Sequence, residues 1–227
     1  MDIESKSLIN KDEIYHRIIY KSKLPFLKLN LDFPHSNILN ELKLLKNSVK
    51  QCDNSKWEGL TLHGLDSKSP RPAHFYGYDN EEKAPYKWTK EGISCVDTKN
   101  YIENNLYSER YCRIKANVLK PGGKIHRHFD SNMQGLGIID HKKNYKNTHK
   151  VKYLTLAVDW EREVSFFVND QKIPIITGDI YLINFSMPHY VVHEGKRDRY
   201  SLIISGQFDK YEYWKDLVIN SYNSFIN

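Results

Sequence analysis

The chain has 227 residues and a formal net charge of +6, enough length for one domain with a sizeable buried core. With 40% hydrophobic and 27% charged residues, and only 11 Gly and 8 Pro, the composition excludes a disordered or collagen-like chain. No apolar run approaches the roughly 18 residues a membrane span needs, and early charges at Asp2, Glu4, Lys6, Lys11, Asp12 and Glu13 give no sign of a signal peptide.

In chain order, Lys11 to Ser22 reads as a short helix ending before Pro25, and Phe26 to Phe33 alternates as a strand. Ser36 is a candidate N-cap for a helix whose stripe is Ile38, Leu39, Leu42, Leu45 and Val49. Residues 64 to 95 are broken by Gly64, Pro70, Pro72, Gly77, Pro85 and Gly92 and carry Phe75, Tyr76, Tyr78, Tyr86 and Trp88. Such an aromatic loop serves equally as a substrate wall or as a loop pinned to the core. Asp97 opens a helix through Leu106.

From residue 110 the texture changes. Short β-branched and aromatic segments follow one another: Tyr111–Leu119, Val151–Asp159, Val164–Val168, Ile173–Ile176, Asp179–Asn184, Tyr190–Val192 and Tyr200–Ser205. Turn signals separate them, among them Pro121-Gly122-Gly123, Asn169-Asp170 and Glu194-Gly195. Many short strands at this spacing predict a mainly β sandwich or barrel with flanking helices. Lys210 to Phe225 reads as a closing helix. The expected organisation is one domain over 1–227. A helical, loop-rich part (1–109) packs on a β-barrel core (110–206) that carries the candidate site, followed by a C-terminal helix (207–227).

Cys52, Cys95 and Cys112 are too few and too scattered for a disulfide framework or a thiolate zinc site. Free thiols suit a reducing, cytoplasmic setting. The basic residues are spread along the chain, so the charge does not point to nucleic acid, and the Lys142–Lys150 cluster reads as a solvated insertion. Nothing speaks for a membrane partner, and the oligomeric state is not legible.

One run carries chemistry: Pro121-Gly122-Gly123-Lys124-Ile125-His126-Arg127-His128-Phe129-Asp130. In an extended strand residues i and i+2 share a face, so His128 and Asp130 can meet one metal ion. HxD alone is a weak signal. A second histidine would complete the two-histidine, one-carboxylate triad of non-haem Fe(II) oxygenases. His189, after the strand in Gly178-Asp179-Ile180-Tyr181-Leu182-Ile183-Asn184, is the candidate, with His193 its rival on the same strand face. Ten residues past His189, Arg199 and Ser201 share a strand face and together make a seat for a carboxylate.

The PGxxIxxHxD run at Pro121–Asp130, the GDIYLIN strand, His189 and Arg199-Tyr200-Ser201 together resemble the Fe(II)/2-oxoglutarate-dependent dioxygenases. Among these the chain is most similar to the aspartyl/asparaginyl β-hydroxylase family, near the small bacterial proline hydroxylases, over roughly residues 110 to 206. The resemblance implies a double-stranded β-helix (jelly-roll, cupin-like). It implies Fe(II) on His128, Asp130 and His189, and 2-oxoglutarate held by Arg199 with Ser201. It also implies hydroxylation of an unactivated C–H bond of an amino acid or a peptide residue, with 2-oxoglutarate and O2 converted to succinate and CO2.

Some relatives lack the triad carboxylate, and the related halogenases vacate that position; Asp130 makes hydroxylation the default here. Where the family has an assisting Arg or His, this chain offers Lys152, Tyr153 or Thr155. His193 stands where the family has Asn, either supporting a metal ligand from behind or touching the substrate. Further substrate-binding candidates are Arg127, Trp57 and Arg71, with Arg162, Tyr76 and Trp88 behind them. The rival readings are a cupin-like metalloprotein that does not use 2-oxoglutarate and a non-catalytic basic binding module.

Overall fold

The computed structural model describes residues 10–46, 48–51, 56–66, 76–78, 84–108, 112–130, 133–134, 136–138 and 151–226. The first elements are α1 (Lys11–His16), which runs on into a π-helical turn over Arg17–Lys21, β1 (Phe26–Lys28) and α2 (His35–Leu44). Then come β2 (Val49–Lys50), β3 (Trp57–Gly64), β4 (Lys87–Trp88), α3 (Lys90–Ser94) and α4 (Val96–Tyr101), the last extended by a π turn to Leu106. The remaining strands are β5 (Arg113–Leu119), β6 (Lys124–His128), β7 (Met133–Gln134), β8 (Gly137–Ile138) and β9 (Val151–Asp159). They continue with β10 (Val164–Val168), β11 (Gln171–Lys172), β12 (Ile180–Ile183), β13 (His189–His193) and β14 (Arg199–Gln207). Helix α5 (Tyr211–Ile226) closes the chain.

The strands form two antiparallel sheets. The major sheet runs β1-β12-β9-β14-β5-β3-β2, with β4 on β3 and the β7–β8 pair on β9. The minor sheet runs β11-β10-β13-β6. This is the jelly-roll architecture, mainly β with helices on the flanks. Strands β1 to β4 extend the major sheet from residues ahead of 110.

Two cores lie on the two faces of the major sheet. On the helix side Leu60, Leu62, Ile114, Ala116, Leu154, Leu156, Leu202 and Ile204 pack against Tyr15, Ile18, Ile19, Ile38, Leu42, Trp214 and Val218 from α1, its π turn, α2 and α5. On the inner side Leu119, Ala157, Tyr181 and Ile183 pack against Val164, Phe166, Val168 and Val191 of the minor sheet. A carboxylate ties two helices of the first core together. Glu41 on α2 accepts hydrogen bonds from the backbone N–H of Asp97 and Thr98, at 2.7 and 2.9 Å, and so caps α4.

Several sequence expectations shift for local reasons. Helix α2 begins at His35, one residue ahead of Ser36, with Pro34 at the N-cap position and no side-chain cap. Proline has no N–H to satisfy there, and its ring holds φ at −77°, close to helical. The segment Ile173–Ile176 is not a strand. Pro174 cannot donate to a ladder, and Asp179 instead accepts from Ile176 N–H at 3.0 Å. Strand β3 has no alternation to read, because it runs buried from Gly59 to Gly64. No helix among the described residues is long and apolar enough to cross a membrane.

Candidate active site

The inner face of the major sheet is unusual for a core. In register across it, Arg199, Ser201 and Ile203 of β14 lie beside Leu119, Asn117 and Lys115 of β5. Ser201 and Ile203 lie beside Ala157 and Thr155 of β9. Asn117 and Lys115 lie beside Gly59 and Thr61 of β3. Alternation along each strand therefore brings a cluster of polar side chains to one buried surface.

Facing it, β13 and β6 of the minor sheet pair His189 with His128. The register shifts between this pair and the next, Val191 with Ile125, so β6 carries an extra residue there. Such a bulge re-aims side chains. Ile125 packs in the inner core, and simple alternation from it would turn Arg127 inward. The bulge turns in His128 instead. Arg127 is half-exposed and ion-paired with Asp170 in the β10–β11 turn. Its guanidinium is thus paired on the surface, outside the cluster, where substrate contact was expected of it.

Asp130 lies just past the end of β6, where its N–H donates to Phe185 O at 2.8 Å. Ligand-capable atoms of His128, Asp130 and His189 all fall within 4.8 Å of one another, close enough to hold one metal ion. The imidazoles are 4.1 Å apart between centroids, and the Phe185 ring meets His189 edge-on at 4.5 Å. In each histidine Nδ1 faces a backbone carbonyl: His126 O at 2.6 Å for His128, Met187 O at 3.0 Å for His189. A carbonyl only accepts, so Nδ1 donates and Nε2 keeps its lone pair, the tautomer a metal needs. Burial pushes the His189 pKa down to about 4; the Met187 carbonyl opposes this, His128 reinforces it and Asp130 opposes it. The ring is therefore neutral at neutral pH.

His193 is the other buried histidine of β13, and both its ring nitrogens are taken. Nδ1 accepts from Gly195 N–H at 3.1 Å, and Nε2 donates to Arg197 O at 2.7 Å. It fastens the β13–β14 turn, and neither of its expected roles, rival metal ligand or substrate contact, has a free nitrogen to serve it. His193→Ala is expected to lower stability by about 2 kcal/mol through two lost buried hydrogen bonds while leaving Fe(II) affinity intact. His189→Ala is expected to do the reverse. Urea unfolding alongside anaerobic metal titration checks both, and weakened Fe(II) binding in His193→Ala would reverse the assignment.

Arg199 is only 3% exposed. Its Nη1 donates to Ser201 Oγ at 2.8 Å, and its guanidinium carbon sits 4.8 Å over the Trp160 ring. Nε and Nη2 are buried with no partner among the described residues. Burial pushes its pKa down to about 9. A buried guanidinium with two idle donors is costly in isolation and fits an anion that the described residues do not supply. Ring contacts from Trp160 to Phe166 to Phe185 to His189 link this seat to the His128–Asp130–His189 cluster.

Sequence reasoning missed Asn117. Its Oδ1 accepts from Trp57 Nε1 at 3.1 Å, which fixes the amide, and its Nδ2 is buried without a partner directly across from Ser201. The signal was present: Arg113, Lys115 and Asn117 stand at alternate positions of an apolar strand. Trp57 thus lies at the inner face. Among the three residues offered beside Arg199, Thr155 is 1% exposed with an unpartnered Oγ1. Tyr153 packs tilted against Phe185 at 4.3 Å between centroids, and burial and then Asp130 raise its pKa. The side chain of Lys152, and all of Arg71, lie outside the described residues.

Residues 32–207 match the sequence profile of the aspartyl/asparaginyl beta-hydroxylase family. Comparison with curated proteins gives no match. A 2OG-Fe(II) oxygenase family oxidoreductase from Burkholderia pseudomallei superposes with a TM-score of 0.50 at 9% identity, covering 86% of this chain and 88% of that one. That likeness supports the fold. A prolyl hydroxylase from Trichoplax adhaerens, solved with a hypoxia inducible factor oxygen degradation domain peptide fragment, gives 0.47 at 14% identity, covering 90% and 91%. A prolyl-4-hydroxylase from Pseudomonas putida gives 0.46 at 10% identity, covering 88% and 100%.

Proposed function

Because the chain belongs to the aspartyl/asparaginyl β-hydroxylase family, and is an oxidoreductase of the hydroxylase-type 2-oxoglutarate/iron oxygenases, we propose that it hydroxylates an unactivated C–H bond of an amino acid or an amino-acid residue of a peptide. In this reading His128, Asp130 and His189 hold Fe(II) through His128 Nε2, a carboxylate oxygen and His189 Nε2. The distal carboxylate of 2-oxoglutarate lies on Arg199, with Ser201 and the Nδ2 of Asn117 beside it. The observation that carries the reading is Arg199, a guanidinium buried with Nε and Nη2 unpartnered on the face opposite a cluster that can hold one metal ion.

The bound iron and cosubstrate supply the oxidising chemistry: 2-oxoglutarate, O2 and R–H give succinate, CO2 and R–OH. The chain's part is to place and protect. Met187 O and His126 O hold the two imidazoles in the ligating tautomer. Ser201 and the Trp160 ring fix the Arg199 fork, so an arriving carboxylate meets donors already aimed. Phe166, Phe185 and Trp160 form a largely buried aromatic floor that keeps water from the space between the two seats. Cys95 is a buried free thiol, in keeping with a reducing cytoplasmic setting.

Anaerobic titration of the apoprotein with Fe(II) and 2-oxoglutarate tests the reading. A weak visible metal-to-ligand charge-transfer band is expected. No band from folded protein would overturn it in favour of a metalloprotein without 2-oxoglutarate or a binding module.

A further inference from the structure

Five buried side-chain polar atoms among the described residues lack a partner, and they belong to four residues: Thr61, Asn117, Thr155 and Arg199. By register all four lie on the inner face of the major sheet. An anion on Arg199 accounts for Arg199 itself and for Asn117, which stands opposite Ser201. Thr155, on the strand flanking β14, borders the same seat. It does not account for Thr61. Strand β3 is separated from β14 by β5, so Thr61 lies about 9.6 Å to one side of β14.

A valine would fill the Thr61 site with the same shape and leave nothing unpaired, whereas the hydroxyl is 3% exposed and idle. Its neighbour in register is Lys115, close enough across the pair for the two side chains to share a ligand. Lys115 Nζ rests 3.2 Å from Gln51 Oε1 and 4.7 Å from the centre of the Trp57 ring. Two residues along β5, Arg113 faces the same way. It stands in register with Ser205 of β14, whose neighbour on β9 is Tyr153, the ring that packs on Phe185 beside His189, so Arg113 lies on the metal side of Lys115. A hydroxyl, an ammonium and a planar guanidinium fork form a donor set suited to a carboxylate.

We propose that Thr61, Lys115 and Arg113 anchor a free carboxylate of a small-molecule substrate, on the β3–β5 side of the seat built around Arg199. This rests on the function proposed above and narrows it, since an internal residue of a peptide has no such carboxylate.

The test compares wild type, Thr61→Val and Lys115→Met, each loaded with Fe(II) and 2-oxoglutarate. Succinate release is measured over the twenty protein amino acids and over the same set as C-terminal amides. At least one free amino acid is expected to stimulate wild type while its amide does not. Each substitution is expected to raise the half-saturating concentration of that amino acid about 10-fold or more. The 2-oxoglutarate concentration needed for the visible band should stay unchanged. Because Thr61→Val keeps the shape, it separates lost recognition from lost folding.

Equal stimulation by the amide, or stimulation of wild type by neither set, overturns the anchor. So does a variant that shifts the 2-oxoglutarate titration, which would move these residues into the cosubstrate seat. Absence of the band from wild type is a different signature: it overturns the oxygenase reading and the anchor with it.

Discussion

Asp130→Ala and His128→Ala are expected to abolish succinate release while the protein stays folded. The two side chains contribute ligand atoms to a cluster no wider than 4.8 Å, with His189 as its third member. Removing one of three ligands costs more than disturbing a residue that only orients a ligand, which is itself worth about 10–100-fold in metal affinity. A loss beyond about 100-fold in Fe(II) affinity is therefore expected for each. Stability should barely change. His128 is exposed and Asp130 half-buried, and the backbone bond from Asp130 N–H to Phe185 O survives either substitution. Substitutions of this kind usually stay within about 0.5 kcal/mol. Circular dichroism with metal titration and a succinate assay reads all three quantities. Retained turnover in either variant removes that residue from the ligand set.

Arg199→Met is expected to separate binding from stability. A charged hydrogen-bond pair is worth about 1.5–3 kcal/mol, so losing a two-donor contact to a carboxylate should weaken 2-oxoglutarate about 100-fold. The apoprotein should nonetheless be as stable as wild type or more so. In the empty fold Arg199 carries a buried charge that burial alone pushes down to a pKa of about 9, with Nε and Nη2 unpaired. Replacing a buried charge with an apolar side chain of similar length removes that cost and keeps the packing over Trp160. Thermal unfolding without ligand and 2-oxoglutarate titration measure the two halves. A clear fall in apoprotein Tm, or an unchanged 2-oxoglutarate affinity, would show that Arg199 holds the barrel together rather than a ligand.

The histidine assignments show what spacing can and cannot do. His189 and His193 share a strand face, so alternation alone leaves both as candidates. The distinction lies in the partners of their ring nitrogens. Gly195 N–H and Arg197 O consume both nitrogens of His193, whereas Met187 O takes only Nδ1 of His189. Those partners come from a turn whose path depends on how β13 meets β14. Arg127 shows the same limit from another side. Alternation from Ile125 would place it inside, and a one-residue bulge reverses that. Asn117 was hidden because its importance depends on Trp57, 60 residues away, holding its amide in one orientation.

By itself the sequence determined the chemistry available and most of the strands. His128-x-Asp130, a distal histidine and Arg199-x-Ser201 are fixed by residue identity. Most β segments from 151 to 207, Ile173–Ile176 excepted, follow from short-range alternation and turn residues, both of which act within a few residues along the chain. Tertiary structure decided which of those residues meet. It set the bulge that turns His128 toward His189, committed His193 to a turn and buried Arg199 without a counter-charge among the described residues. It also gathered Thr61, Asn117 and Thr155 from three strands onto the face that Arg199 shares. Register between strands distant in sequence, and the burial of the face between two packed sheets, are properties of the whole fold and are not encoded in any local window.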